Sequence, residues 1–327
     1  MEYVDIKYVG KPVSRLMFGT CIPLMQKGGD ATELLDHAFG LGITAYDTAR
    51  CYGGAERSLG AWINERGNRE KVVVQSKGGI NGFLWRSRIK ESCIRFDLAR
   101  SLAELGADYI DIYLLHRDDK RVPVGDIVEL LNSLAADGMI RAFGGSNWSY
   151  ERIEAANEYA YAHGLQPFSV SSPNYGLAEM KKDPWGGGLV TVTGDRNAQA
   201  REWYARTGMP VAAWSCVGGG LFSGRFRSSD VSAAKRLMAA LYRKAFLYPD
   251  NLERLRRAEI LAERRCVSPS QIAIAYLLKS DMNVLPIVGT GSAEHLDPNV
   301  AAMDIHITDA EAAWLDLRSD DAAEERT

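Results

Sequence analysis

Four side chains in the first half of the chain could carry a proton transfer: Asp47, Tyr52, Lys77 and His116. They stand in the stretches YDTARCYGG, VVVQSKGG and YIDIYLLHRDD, each of which ends a short β-type run. Each side chain is therefore expected where a strand meets its loop. An ammonium held by a carboxylate favours a neighbouring phenolate, so Lys77 and Asp47 are expected to lower the Tyr52 phenol from its ordinary value of about 10. Such a Tyr can give a proton to a carbonyl oxygen while hydride arrives at the carbon, and a neutral His can orient that oxygen. Singly, each has a duller reading. Lys77 could be solvated beyond its strand, Asp47 a helix cap, His116 a satisfied strand-end residue and Tyr52 rim packing. Four suitable types in order at four strand ends favour the chemical reading.

The elements that must position them are legible as alternating short apolar runs and amphipathic stretches. Strands are expected at RLMF (15–18), ITAY (43–46), KVVVQS (71–76), YIDIYLL (109–115), IRAFGG (140–145), FSVSS (168–172), PVAAW (210–214) and NVLPIV (283–288). Short Val/Ile/Tyr-rich runs suit buried parallel strands. Between them, IRFDLARSLAELG (94–106) lines up Ile94, Leu98, Leu102 and Leu105 on one helical face. Capping boxes are expected at Asp30 with Glu33, Ser268 with Gln271, and Thr308 with Glu311. Eight such units predict an α/β fold, a (β/α)8 TIM barrel with chemistry at the C-terminal rim of its strands and a short β-type run over the bottom. One domain over 1–317 is expected, followed by a charged, disordered tail over 318–327. Two segments exceed ordinary loop length, 174–196 and 218–251, and enlarged loops at such a rim shape binding sites.

Composition narrows the classes. The 327 residues carry a formal charge of −3, with 46% hydrophobic and 25% charged residues. That balance describes an ordinary globular protein and gives no reason to expect nucleic acid or a membrane as partner. The amino terminus lacks a basic region followed by an apolar core, so a secretory signal is not expected. Cys21, Cys51, Cys93, Cys216 and Cys266 form no Cys-x-x-Cys pair and are odd in number. Free thiols in a reducing, cytoplasmic compartment are the expectation. Cys51 reads as a small filler beside the catalytic loop or as a modifiable thiol. The His residues show no metal-ligand spacing, so no metal is expected. A Gly-x-Gly-x-x-Gly after a strand is missing as well, which argues against a Rossmann cofactor site.

The ordered motifs FGT, YDTARCYGGAE, SLAELGADYIDIYLLH, IRAFGGSNW, WSCVGGGLFSGR and PIVGTGSAEHLDPN resemble those of the aldo-keto reductase family, from the Gly19–Thr20 turn to Asn299. By the spacing around His116 and the glycine-rich loop after the seventh strand, the chain looks closer to the branch that includes potassium-channel β subunits. The resemblance implies Tyr52 as proton donor, Lys77 as its cationic neighbour, Asp47 as holder of Lys77, and His116 as orienter of the substrate carbonyl. It also implies a cofactor, NADPH (NADP) with NAD possible, lying extended across the rim. Gly19, Thr20 and Asp47 would border it; Ser146 and Asn147 would hold the carboxamide; Trp214 would stack under the nicotinamide. Ser215, Val217, Gly218 and Gly220 would line the pyrophosphate, with Arg225 closing over it.

Three departures stand out. Ser172 occupies a position that is usually Gln. Gly289 stands where some members carry a Lys against the 2′-phosphate. Gly291 and His295 replace residues that often help there, leaving Thr290, Ser292, His295 and Asn299 on the adenosine side. The implied function is reduction of an aldehyde or ketone to an alcohol. Polyol or sugar oxidation with NAD, and a cofactor-sensing regulatory module with slow turnover, stand as alternatives. Tyr52, Trp85, His116 and Arg117 are the substrate candidates. With Arg50, Arg86, Arg88 and Trp148 nearby, the pocket would suit a polar, sugar-like or anionic carbonyl compound; alternatively Arg117 pairs with Asp118 or Asp119 and the other Arg residues face solvent.

Overall fold

A computed structural model describes residues 1–80 and 87–321. Trp85 and Arg86 therefore lie outside the described residues. Eight strands close into a parallel barrel: β3 (Met17–Gly19), β4 (Ala45–Asp47), β5 (Val73–Gly78), β6 (Ile110–Leu115), β7 (Ile140–Ser146), β8 (Val170–Ser172), β9 (Val211–Ala213) and β10 (Val284–Val288). They follow one another around the wall in chain order, and β10 pairs with β3 to close it. Each falls on one of the eight expected runs. Helices cover the outside, so both faces of every strand are removed from water, which is why the runs read as continuously apolar.

Ahead of the barrel, β1 (Tyr3–Val4) and β2 (Val13–Ser14) form an antiparallel hairpin. Its Val4 and Val13, with Ile6 and Val9 from the connection, pack against Met17, Ala45, Val73, Ile112, Leu114, Ala142, Val170, Ala212, Leu285 and Ile287. These are the inward residues of the barrel, so the hairpin plugs its bottom. The plug leaves the other end for chemistry.

Local signals explain most helix ends. The helix Glu91–Leu105 buries Ile94, Leu98 and Leu105 and stops at Gly106, which adopts the left-handed conformation that glycine tolerates best. Ser268 and Thr308 form the expected capping boxes. The one expected at Asp30 does not form. That helix starts later, at Thr32, and Asp30 accepts from the Thr32 backbone N–H at 2.9 Å, a turn contact that competes with capping.

The two long segments differ from each other. The first, 174–196, has no strand beyond bridges from Asn174 to Thr191 and Trp214. The second carries helices at Val231–Leu237 and Ala240–Phe246, and Asp230 caps the first of them. After Leu317, Arg318 donates its backbone N–H to Ala313, and the Ser319 carbonyl accepts from Arg257 at 2.5 Å.

Candidate active site

Strand pleating explains how eight separate segments meet at one rim. Side chains alternate faces along a strand, so residues two or four positions beyond an inward residue also point inward. Taking the inward residues that meet the hairpin as reference, Asp47 follows Ala45 by two, Lys77 follows Val73 by four and His116 follows Leu114 by two. The same step gives Gly19, Ser146, Ser172, Trp214 and Gly289 after Met17, Ala142, Val170, Ala212 and Ile287. One layer of the barrel top thus holds a candidate from every strand. Its members are polar, aromatic or glycine where the inward residues that meet the hairpin are apolar.

Within that layer, Lys77 Nζ donates to Asp47 Oδ1 at 2.5 Å, to the Thr48 carbonyl at 3.1 Å and to Tyr52 Oη at 3.4 Å. Both members of the ion pair are almost fully buried. Gln75, one inward position below Lys77, donates Nε2 to the same Asp47 oxygen at 2.6 Å. The Tyr52 and His116 rings meet edge to face with centroids 5.9 Å apart. All four expected catalytic side chains are therefore together.

Their electrostatics correct one expectation. The protein packed around half-buried Tyr52, with the Asp47 charge adding to it, raises the phenol well above its ordinary value. Lys77 does not reverse this, because Asp47 already offsets its charge and desolvation of the phenolate dominates. Burial, together with the cations of Lys77 and Arg117, holds His116 well below its ordinary value. Tyr52 is thus a protonated phenol and His116 a neutral imidazole around pH 7.

On the adjoining strands, Ser146 Oγ donates to the Ser172 carbonyl at 3.0 Å. Asn147, at a φ of 60°, donates Nδ2 to the His116 carbonyl and to Ser146 Oγ, and accepts from the Val190 N–H. Ser172 turns its hydroxyl into the wall, donating to the Ala212 carbonyl. Thr20 does likewise to the Asp47 carbonyl. Trp214 is half-buried, and its Nε1 is buried without a hydrogen-bond partner among the described residues.

The turn after β9 has Ser215, Gly218, Gly219 and Gly220 all at positive φ. A Cβ on Gly219 would lie 2.1 Å from the Tyr242 ring, and one on Gly220 would lie 2.9 Å from the Arg225 guanidinium. Exposed Arg225 therefore lies over this turn, half-buried Val217 within it. Beyond β10, Gly289 approaches the Gly19 carbonyl, where a Cβ would sit at 3.0 Å. Thr290 Oγ1 bonds within its own turn to Ser292, Asn299 is half-buried, and His295 is exposed.

The outer candidates divide. Arg117 is buried. Asp118 is taken by Arg152 and Asp119 by Arg121, so neither is its partner. Its guanidinium donates to the His116 carbonyl, and Asp183 of the long loop offsets its charge. Gly188 of that loop packs on its side chain. Arg50 and Arg88 are engaged with Glu56 and Asp97. Trp148 is no pocket wall: it is fully buried against Phe168 and donates Nε1 to the Arg117 carbonyl. Trp185 sets the long loop edge-on against Trp214 and Tyr242.

Sequence reasoning missed Gln75 and Tyr242. The first shares strand parity with Lys77 and was findable. The second lies 28 residues beyond Trp214 on a helix whose packing no local pattern reveals.

A model of the aldo/keto reductase family matches residues 24–317. The chain is 28% identical over 312 residues to the Schizosaccharomyces pombe aldo-keto reductase yakc, whose name carries NADP(+), covering 91% of this chain and 86% of that one. It is 27% identical over 300 residues to norsolorinic acid reductase stcV of Emericella nidulans, covering 86% and 71%. It is 28% identical over 303 residues to the putative aryl-alcohol dehydrogenase AAD14 of Saccharomyces cerevisiae, covering 88% and 76%.

Proposed function

The chain belongs to the aldo/keto reductase family, and from that premise we propose that it reduces a small aldehyde or ketone to the alcohol with NADPH, using Tyr52 as proton donor. The observation that carries this reading is the buried Asp47–Lys77 pair with Tyr52 and His116 against it.

Tyr52 keeps its proton at neutral pH and releases it only when negative charge develops on a nearby oxygen. Lys77, 3.4 Å from the phenol oxygen, then stabilises the phenolate that remains. Asp47 and Gln75 fix Lys77 so that little reorganisation accompanies the transfer. His116, being neutral, can hydrogen-bond the carbonyl oxygen without competing as an acid. Arg117, whose guanidinium donates to the His116 carbonyl, would favour a polar substrate beside that ring.

The rim fits a nicotinamide dinucleotide. The left-handed glycine turn offers backbone at close approach, Arg225 lies over it, and the Trp214 ring has a buried N–H with no acceptor among the described residues. When bound, that cofactor supplies the hydride. Ser146 and Asn147 would hold its carboxamide. Gly218, Gly220 and Arg225 would hold its phosphates, and Thr290, Ser292 and Asn299 its adenosine. The NADP(+) in the name of the S. pombe relative favours NADPH over NADH.

The test is oxidation of NADPH, and separately of NADH, with an activated aromatic aldehyde. Carbonyl-dependent oxidation with NADPH as the better donor is expected. A protein that binds either cofactor yet reduces no aldehyde or ketone overturns the reading.

A further inference from the structure

Cys51 immediately precedes Tyr52, and its Sγ lies 3.6 Å from Nδ1 of His116. That is hydrogen-bond contact for a sulfur. Among the described residues no other hydrogen bond reaches the imidazole ring, so this contact decides which ring nitrogen carries the proton. Two arrangements compete: the thiol donating to Nδ1, or Nδ1–H donating to sulfur. The imidazole nitrogen is the better acceptor, whereas a thioether or thiol sulfur accepts weakly.

Charge states agree with the first arrangement. The protein packed around the Cys51 sulfur pushes its thiol up to about 11 even though part of the residue faces solvent, so the thiol keeps its proton. Burial and the neighbouring cations keep His116 neutral. One S–H and one unprotonated ring nitrogen then face each other.

We propose that Cys51 is a positioning residue whose thiol donates to Nδ1 of His116, fixing the tautomer that carries its proton on Nε2. That tautomer presents an N–H donor to a substrate carbonyl oxygen. The opposite tautomer would present a lone pair to the same oxygen and repel it. The second ring nitrogen's partner setting the first one's role is a general property of histidine sites. The consequence for turnover rests on the reductase reading; the tautomer itself does not.

The experiment is ¹⁵N NMR of the full chain with labelled histidine. The chain has five His, and His116→Asn assigns the resonances of interest. The wild type should show Nδ1 unprotonated and Nε2 protonated near neutral pH. Cys51→Val should release a mixture of tautomers and lower kcat for aldehyde reduction by about tenfold, the worth of one buried hydrogen bond, with KM little changed. Cys51→Ser, which keeps a donor, should restore most of both. A wild-type His116 protonated on Nδ1 overturns the proposal, as does Cys51→Val with unaltered tautomer and kcat. Turnover indifferent to Tyr52→Phe would instead sink the reductase reading and leave the tautomer result standing.

Discussion

Replacing Lys77 with Met should cost the fold about 3–5 kcal/mol, the usual penalty for stranding one member of a buried ion pair. Lys77 and Asp47 side chains are 2% and 5% exposed, so the orphaned carboxylate has little access to water. The Lys77 ammonium contacts three oxygens, and among the described residues its loss leaves Asp47 with Gln75 as its remaining side-chain donor. The Thr48 carbonyl loses a donor as well. Adding Asp47→Asn to the same chain removes the stranded charge, so the double variant should recover about 2 kcal/mol of the loss. Urea unfolding followed by tryptophan fluorescence reads this directly. With a slope of about 3 kcal/mol/M for a chain of this size, Lys77→Met should lower the midpoint by about 1–1.7 M. A shift below about 0.3 M, or a double variant whose loss equals the sum of the singles, would refute the buried-pair argument.

The directions for His116 and Tyr52 fix the pH behaviour. Neither group changes state between their ordinary values of about 6.5 and about 10. Reduction kcat/KM should therefore be flat across that window, and a step near pH 7 that vanishes in His116→Asn would contradict the assignment. For stability the sign follows from the depressed His116 value. Its contribution is present above about 6.5 and is lost as pH falls below that, because the unfolded chain takes up the proton first. Urea midpoints at acidic and neutral pH should accordingly differ more for wild type than for His116→Asn. Gly219→Ala, forced to positive φ and into the Tyr242 ring, should weaken cofactor binding by about tenfold, from strain of roughly 1–2 kcal/mol. Fluorescence titration checks it, and an unchanged dissociation constant would remove the glycine turn from the cofactor site.

Most of the architecture was legible because each barrel strand is a short run buried on both faces. Strand parity then carried the rim residues: once Ala45, Val73 and Leu114 are inward, Asp47, Lys77 and His116 must follow. What local patterns could not carry was the environment built by distant segments. The Tyr52 phenol is raised because protein from several loops surrounds it, which the positive charge of Lys77 alone did not suggest. Trp148 and Arg117 both sit just past strands, yet one enters the core and the other is buried beside the long loop. Their neighbours, Phe168 and Gly188, lie 20 and 71 residues along the chain. The helix carrying Tyr242 read as part of a long loop because its seven residues give too few turns for a clear apolar stripe.

The central claim is that Tyr52 gives the proton in a carbonyl reduction at this rim. Its most direct test is Tyr52→Phe, measured for aldehyde turnover and for cofactor binding in the same preparation. The account predicts a loss of about 10²–10⁴ in kcat, the range for a positioned general acid, with the cofactor dissociation constant essentially unchanged. Turnover within about tenfold of wild type, with Lys77 and His116 in place, would contradict it.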